Sequence, residues 1–352
     1  MNFWQQLKNK KRPFFAVAPM ADVTDPAFRR LIAKYGKPDV MWTEFVSANG
    51  LMSAGREMLQ RDLEFSEIER PIVAQIFSSN PEKIEGAARL CKELGFDGID
   101  INMGCPDKTI EKQGAGAAMI KTPEIAVQVI AAAKRGAGDL PVSVKTRVGY
   151  NSVQIEEWIP LLLKQNIAAL TVHARTRKEL SKVPAHWDYI KEVVKLRDVL
   201  APNTVIIGNG DVTSLADGKI KAAASGADGI MVGRALFGNP WFFDESREMI
   251  ASIPKKPLLQ KLPLIGKLFE TRRTAAQSAV RPITITERLH VLVEHTKLFE
   301  ELLGDIKSFS IMKKHYKAYC TGFPGAKELR MKLMDEAHNV ADVEKIIGDF
   351  LL

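Results

Sequence analysis

Cys105 has the surroundings that most favour chemistry in this sequence. It lies in the run Gly104-Cys105-Pro106, which indicates a loop, whereas Cys91 and Cys320 suit small buried hydrophobes. A loop cysteine near a ligand acts as a nucleophile or as an acid. A thiol with its ordinary pKa of about 8.5 is mostly protonated at neutral pH, so it can donate a proton. No neighbouring residue provides a base dedicated to forming the thiolate, which favours the acid.

Four other polar residues end short apolar runs. Lys145 could stabilise the negative charge of a reduced flavin, and the alternatives are a Schiff-base lysine or a snorkelling lysine. His173 could donate to a flavin carbonyl or a substrate oxygen, or could be a histidine satisfied by its neighbours. The amides of Gln75 and Asn102 suit the pyrimidine edge of a flavin or of uracil.

A repeating pattern of short strands and longer helices must position these residues. From residue 14 to about residue 249, eight β-branched apolar runs alternate with amphipathic stretches. Uninterrupted apolar strands indicate a parallel sheet buried on both faces. Eight such units predict an α/β fold, a (β/α)8 TIM barrel, whose active site lies at the carboxyl ends of the strands. A doubly wound sheet fits less well, because no Gly-x-Gly-x-x-Gly follows the first strand.

The predicted elements follow from these runs. The strands are expected at 14–18, 40–43, 72–76, 98–102, 142–145, 169–173, 205–208 and 229–232. The helices are expected at 26–35, 81–94, 123–134, 154–164, 187–196, 213–225 and 236–249.

Glycines follow the last two strands. Gly210 and Gly233 allow close backbone approach to a ligand, and a helix N-terminus after the eighth strand would favour an anion. These features predict a phosphate group there, with Arg234 as its charge partner. The alternative is that the glycines serve tight turns alone.

The last third of the chain differs from the barrel. We predict a barrel domain at 1–252, a basic, proline-containing linker at 253–285 with a short helix near 264–274, and a C-terminal helical bundle domain at 286–352. Residues from 251 onward carry +5 of the formal net charge of +8. This excess favours a polyanionic partner such as nucleic acid.

Composition excludes several other classes. Three widely spaced cysteines fit neither a disulfide framework nor a zinc site, so we expect no metal and a cytoplasmic location. No signal peptide is visible, and no apolar run approaches the ~20 residues of a membrane span. We expect a monomer without membrane attachment.

Six runs, together with the tail, carry a resemblance to a known family. They are Ala18-Pro19-Met20-Ala21-Asp22-Val23-Thr24-Asp25, Asn102-Met103-Gly104-Cys105-Pro106, Val144-Lys145-Thr146-Arg147, Val172-His173-Ala174-Arg175-Thr176, Gly208-Asn209-Gly210-Asp211 and Gly233-Arg234. In order and spacing they resemble the tRNA-dihydrouridine synthases. The tail, with Lys314-His315-Tyr316-Lys317 and Gly322-Phe323-Pro324-Gly325, is similar to the helical RNA-binding domain of bacterial B-type members.

The resemblance implies reduction of tRNA uridines by bound FMN, with NADPH as the reductant. Hydride would pass from flavin N5 to uracil C6, and Cys105 would give the proton to C5. Asn102 and Arg175 would face the uridine or the flavin rim. The implied flavin-binding residues are Pro19, Met20, Ala21, Gln75, Lys145, His173, Asn209, Gly210, Asp211, Gly233 and Arg234.

A target uridine must turn out of the folded tRNA, which calls for a basic surface that holds the backbone. Helical spacing places Lys313 with Lys317, and Lys307 with Lys314, on shared faces, while Tyr316 or Tyr319 could stack on a base. Weaker candidates at the barrel mouth are Lys108, Lys112 and Arg177. The loop from Ser181 to His186 departs from the family's pattern, which leaves its substrate contacts open.

Two rival functions remain at this point. A flavin barrel that acts on a small molecule, like a dihydroorotate dehydrogenase or an ene-reductase, would share the phosphate site but leave the basic tail unexplained. A flavin-free RNA-binding or aldolase-type barrel would be colourless when purified.

Overall fold

A computed structural model describes residues 2–10, 12–249 and 281–352, and it contains a closed parallel barrel. The strands are β1 Phe14–Val17, β2 Met41–Ser47, β3 Ile72–Phe77, β4 Gly98–Met103, β5 Val142–Arg147, β6 Ala169–His173, β7 Val205–Asn209 and β8 Gly229–Val232. Their order in the sheet is β1-β8-β7-β6-β5-β4-β3-β2. A bridge between Ala16 and Val40 joins β1 to the start of β2. The predicted TIM barrel is confirmed.

Helices cover the barrel, and most begin where the sequence predicts. They are α1 Phe3–Asn9, α2 Pro26–Tyr35, α3 Ala48–Leu51, α4 Arg56–Gln60, α5 Pro81–Glu93, α6 Lys108–Lys112, α7 Pro123–Ala137, α8 Ile155–Leu163, α9 Trp187–Leu200 and α10 Leu215–Ser225. Asp25 caps α2 by accepting from the Phe28 N–H at 2.9 Å, and Asn80 caps α5 through the Lys83 N–H at 3.2 Å. Proline follows both caps, where its missing N–H costs no hydrogen bond.

The helix predicted at 236–249 is wrong. The chain after β8 forms a three-residue 3₁₀ turn, Arg234–Leu236, and later a short strand, β9 Arg247–Met249. Gly238 interrupts any helix, because its φ of 64° is left-handed and a Cβ there would lie 2.7 Å from the Ala318 backbone. β9 pairs in parallel with β10 Arg281–Ile283, which lies within the predicted linker.

Four helices form the C-terminal region, α11 Ile285–Leu303, α12 Met312–Tyr319, α13 Ala326–Glu336 and α14 Val340–Leu351. Part of this region packs on the barrel through rings: His295 of α11 stacks on Phe28 of α2 at 5.0 Å, and His315 of α12 lies 5.2 Å from the same ring. The predicted helix near 264–274 lies outside the described residues, as does most of the predicted linker. None of the helices in the described ranges is long and apolar enough to cross a membrane.

α1 closes the amino end of the barrel. Its Trp4 is fully buried, with its ring 5.5 Å from that of Trp42 and 6.0 Å from that of Phe14. The helix is also tied to the loop before β7, because Gln5 donates to the Asn203 carbonyl at 2.8 Å. The carboxyl ends of the strands are therefore the open end of the barrel.

Candidate active site

A cavity of about 190 Å³ lies at the carboxyl ends of the strands. It contains nine of the eleven residues expected to bind a flavin, together with Arg175, which was expected near the uridine. The lining residues are Ala18, Pro19, Met20, Lys145, His173, Arg175, Ser181, Asn209, Gly210, Asp211, Val212, Met231, Gly233, Arg234 and Ala235. Ala21 and Gln75 lie outside this lining, with Ala21 exposed and Gln75 fully buried.

A larger cavity, of about 870 Å³, lies near the amino ends of β1, β2 and β8. Several of its charges are already paired: Arg12 with Asp39 at 2.8 Å, and Lys219 with Glu245 at 2.6 Å. Active sites of TIM barrels lie at the opposite end, so the smaller cavity is the better candidate.

Lys145 brings a positive charge, on a half-buried side chain, into the small cavity. Burial, with a smaller contribution from nearby Arg147, lowers the pKa of its ammonium to about 8 against the opposing effect of Asp100. Within the described part of the chain, the Lys145 ammonium makes no hydrogen bond and no ion pair. A half-buried cation without such a partner favours an anionic ligand.

Asp100 lies below Lys145 in the barrel interior. It accepts hydrogen bonds from Gln75 Nε2 and Ser143 Oγ, both at 2.6 Å. Burial raises the pKa of its carboxyl to about 6. The Gln75 amide nitrogen therefore serves Asp100, while its Oε1 is buried without a partner among the described residues.

His173 is held as a neutral ring. Its Nε2 lies 3.1 Å from Nη1 of Arg175, and a guanidinium can only donate. Nε2 must therefore accept, which places the ring proton on Nδ1. Burial and four surrounding cations lower the pKa of His173 well below 6.5. His173 thus offers a hydrogen-bond donor at Nδ1 without positive charge.

Asp211 organises the cations beside the cavity. It pairs with Arg175 and with Arg234, whose Nη2 lies 2.5 Å from Oδ1, and it accepts from the Ala185 N–H at 2.9 Å. Arg175 is 2% exposed, and its Nε also donates to the Val183 carbonyl at 2.7 Å. The main role of Arg175 here is to fix His173, Asp211 and the loop that departs from the family pattern.

The phosphate expectation is changed in one respect. The predicted helix N-terminus after β8 is a single 3₁₀ turn, too short to supply a substantial helix dipole. Arg234 is paired with Asp211, but its side chain is 63% exposed beside the cavity, so its other N–H groups can still meet a phosphate. A Cβ at Gly233 would lie in ordinary contact with Met20 Sδ at 3.5 Å, so the packing of the described residues does not itself require glycine there. Asn209 is occupied, donating to the Met231 carbonyl at 2.9 Å.

The loop that carries Cys105 follows β4, the strand beside that of Lys145, and Cys105 lies outside the cavity lining. Asn102, whose register partner is Lys145, accepts from the N–H groups of Gly104 at 3.1 Å and Cys105 at 2.9 Å. Arg147 donates from Nε to the Gly104 carbonyl at 2.8 Å. Burial raises the pKa of the Cys105 thiol, so the group remains protonated at neutral pH. The side-chain Oδ1 of Asn102 therefore shapes the loop that presents Cys105.

Several predicted tRNA contacts are wrong. Tyr316 and Tyr319 are fully buried, so neither ring can stack on a base. Lys307 lies in the loop before α12, so it does not share a helical face with Lys314. The contact predicted for Lys314 stays a prediction, because its exposed side chain is paired with Asp22 at 2.9 Å but still faces solvent.

Other predicted contacts remain compatible with RNA. Lys108, Lys112 and Lys317 are exposed. Arg177 is paired with Glu111 of α6. This ion pair joins the loop after β6 to the helix that follows the Cys105 loop. Lys313 donates to the Met334 carbonyl and is half-buried.

Two structural residues were not predicted. Arg147 follows Lys145 by two positions, which places it on the same face of β5, and this strand periodicity could have revealed it. Glu44 is a buried acid in the otherwise apolar or neutral run of β2, and that departure was a usable signal. No cluster of three or more metal-ligating side chains exists among the described residues.

Comparison with known proteins identifies the family. The model of the dihydrouridine synthase family matches residues 16–348. The chain belongs to the dihydrouridine synthase family. It is 37% identical over 352 residues to a probable tRNA-dihydrouridine synthase of Staphylococcus aureus, covering 99% of this chain and 95% of the relative. It is 39% identical over 351 residues to probable tRNA-dihydrouridine synthase 2 of Bacillus subtilis, covering 99% and 96%.

The barrel also resembles solved structures outside this family. A 2-naphthoyl-CoA reductase complex matches with a TM-score of 0.50 and 12% identity, covering 65% of this chain and 49% of that one. At this identity the match indicates a shared barrel fold. The dihydrouridine synthase assignment therefore rests on the near full-length relatives and the family model.

Proposed function

We propose that this chain reduces uridines in tRNA to 5,6-dihydrouridine, with FMN in the cavity at the carboxyl ends of the strands and Cys105 as the proton donor. Family membership makes it a flavin-dependent oxidoreductase. The observation that supports the site assignment is the half-buried Lys145 ammonium, which has no hydrogen-bond or ion-pair partner among the described residues and lies near a protonated thiol.

The polar groups of the cavity suit a flavin. Lys145 offers a cation without a hydrogen-bonded protein partner, and His173 offers a neutral donor. The exposed Arg234 side chain can meet a phosphate at the open edge of the cavity. A cation, a neutral donor and an exposed guanidinium thus occur together, as a ring system with a phosphate tail requires.

When bound, FMN would supply the hydride for C6 of uracil, and NADPH would restore the reduced flavin. Lys145 would stabilise negative charge that develops in the cavity, because its ammonium is positioned there before the reaction. His173 would donate from Nδ1 to a carbonyl oxygen. The Cys105 thiol would deliver its proton to C5, and Asn102 and Arg147 keep the thiol-bearing loop in place.

Replacing the thiol tests this assignment. Cys105→Ala should lower turnover by about 10²- to 10⁴-fold, the usual contribution of a general acid. Flavin and tRNA binding should remain, because the backbone of the loop is held by Asn102 and Arg147. The measurement is anaerobic mixing of reduced protein with tRNA, followed by flavin reoxidation and dihydrouridine content.

The matched control is Cys91→Ala, a buried cysteine of α5 remote from the cavity lining. It should turn over normally. Unchanged turnover in Cys105→Ala would refute the acid role. Absence of tRNA binding in the wild-type protein would instead favour a small-molecule oxidoreductase.

A further inference from the structure

The loop after β1 forms one wall of the cavity and has a strained backbone. Pro19 and Met20 line the cavity, and Asp22, two residues later, has a left-handed φ of 51°. Such a conformation in a non-glycine residue persists only where surrounding contacts hold it. The contact that meets the Asp22 N–H is the Glu44 carboxylate of β2, through Oε1.

Glu44 in turn contacts the C-terminal helical region, the part of the chain that contains α11 to α14 and is called the helical region below. Its second oxygen, Oε2, accepts from Lys307 Nζ at 2.9 Å, and Lys307 lies in the loop between α11 and α12. The same ammonium lies 2.8 Å from Oδ1 of Asp62. The side chains of Glu44 and Lys307 are 6% and 13% exposed, so water screens their interaction little.

A second lysine of the helical region reaches the same loop. Lys314 of α12 pairs with the Asp22 carboxylate at 2.9 Å, although both side chains are about half-exposed. The backbone and the side chain of Asp22 therefore both depend on residues more than 280 positions later in the chain. An exposed pair contributes little, so the buried Lys307–Glu44 pair is the stronger constraint.

We propose that Glu44 and Lys307 are positioning residues, through which the helical region fixes the Asp22 backbone and with it the flavin-facing wall. This inference rests on the flavin site proposed above. It gives the helical region a role in cofactor binding in addition to any contact with tRNA. Removal of residues after 252 would then weaken flavin binding as well as tRNA binding.

The Glu44→Gln variant separates the two hydrogen bonds. A carboxylate offers two oxygens, one for the Asp22 N–H and one for Lys307, whereas an amide offers one. The amide that replaces Glu44 must therefore abandon one of the two donors. We expect the dissociation constant for FMN, measured by flavin release on dilution of the holoprotein, to rise about tenfold, as for one lost hydrogen bond to a charged group. Lys307→Met should also raise the dissociation constant for FMN, for a different reason, because it leaves Glu44 buried without the cation that holds its second oxygen.

The double variant Glu44→Gln/Lys307→Met provides a rescue. Without Lys307, the single amide oxygen is free to accept from Asp22, so FMN affinity should return to within about threefold of wild type. Lys34→Met is the matched control, because Lys34 joins α2 to Glu294 of α11 at 2.6 Å in the same interface. It should leave FMN affinity unchanged.

The outcomes separate this inference from the proposed function. A wild-type protein that does not bind FMN overturns both. If wild type binds FMN and the single variants bind equally well, the inference is overturned and the proposed function stands. The inference would also be overturned if FMN affinity did not recover in the double variant. An equal loss of FMN affinity in Lys34→Met would overturn it too, because the whole interface, rather than Glu44 and Lys307, would then determine FMN binding.

Discussion

Replacing Lys145 by methionine should stabilise the flavin-free protein while impairing its chemistry. Burial holds the pKa of Lys145 at about 8, below its ordinary value of 10.5. The unfolded chain therefore binds this proton more tightly than the folded chain. Methionine has similar length, needs no solvation and fills the same space, so Lys145→Met removes the cost of burying a charge.

The size of the effect follows from the two ionisation constants. Each tenfold difference is worth about 1.4 kcal/mol, so protonated Lys145 costs the folded chain about 3 kcal/mol at pH 7. Part of the side chain lines a cavity open to water, so this value is an upper bound. For a chain of 352 residues, about 3 kcal/mol corresponds to a rise in Tm of roughly 4 °C.

The pH dependence has a definite sign. A lysine with a depressed folded pKa destabilises fully below about pH 8, and the cost fades as pH rises towards the unfolded value. The advantage of Lys145→Met should therefore fall to about 2 kcal/mol at pH 9 and below about 0.5 kcal/mol at pH 10.5.

Denaturant unfolding of flavin-free wild type and Lys145→Met at these pH values measures the difference directly. Lys112→Met, at an exposed lysine of α6, is the control and should change stability by less than about 0.5 kcal/mol. A destabilised Lys145→Met at pH 7, or a difference that does not shrink with pH, would refute the picture of an uncompensated cation. The same variant should bind flavin weakly and resist its reduction.

Two further predictions concern other parts of the molecule. Lys108→Ala and Lys112→Ala should each weaken tRNA binding and reduce the slope of log affinity against log salt by about 0.7–0.9, provided that this rim contacts phosphates; an unchanged slope would remove these lysines from the interface. Burial lowers the pKa of His315 to about 3 and that of His295 well below 6.5, so each should cost stability as pH falls below about 6.5, by about 1.4 kcal/mol per pH unit. In His315→Phe, the slope of the free energy of unfolding against pH between pH 5 and 6.5 should be smaller than in wild type by the equivalent of one proton. An equal slope in the two proteins would contradict burial of His315 as a neutral ring.

The strands were predictable because burial on both faces leaves a plain sequence signal. Those of the barrel begin within a residue or so of their predicted positions, and the residues at their carboxyl ends converge as expected. In a parallel barrel the carboxyl ends of all strands lie at the same end. The positions of Lys145 and His173 at strand ends were therefore enough to place both at one end of the barrel.

Other features depend on contacts between distant parts of the chain, which periodicity does not report. The helix expected after β8 fails because Gly238 must approach Ala318, a residue of α12. In the sequence, Tyr316 is an aromatic residue among lysines, which favoured stacking on a base. In the structure it faces the core of the helical bundle, where its hydroxyl lies 3.4 Å from Thr296 Oγ1. Arg175 looks like a ligand contact in the sequence, and its partners Asp211 and Val183 become visible only in three dimensions.

The packed amino end of the barrel bears on the order of events in the proposed reaction. Trp4 packs against Trp42 and Phe14, so aromatic rings fill the barrel interior at the amino ends of the strands. On the function proposed above, the reductant and the turned-out uridine would both reach the flavin from the carboxyl ends of the strands. We expect the two to compete for that approach. Reduction of the flavin and reduction of the uridine would then alternate, and an excess of either reactant would slow the other step.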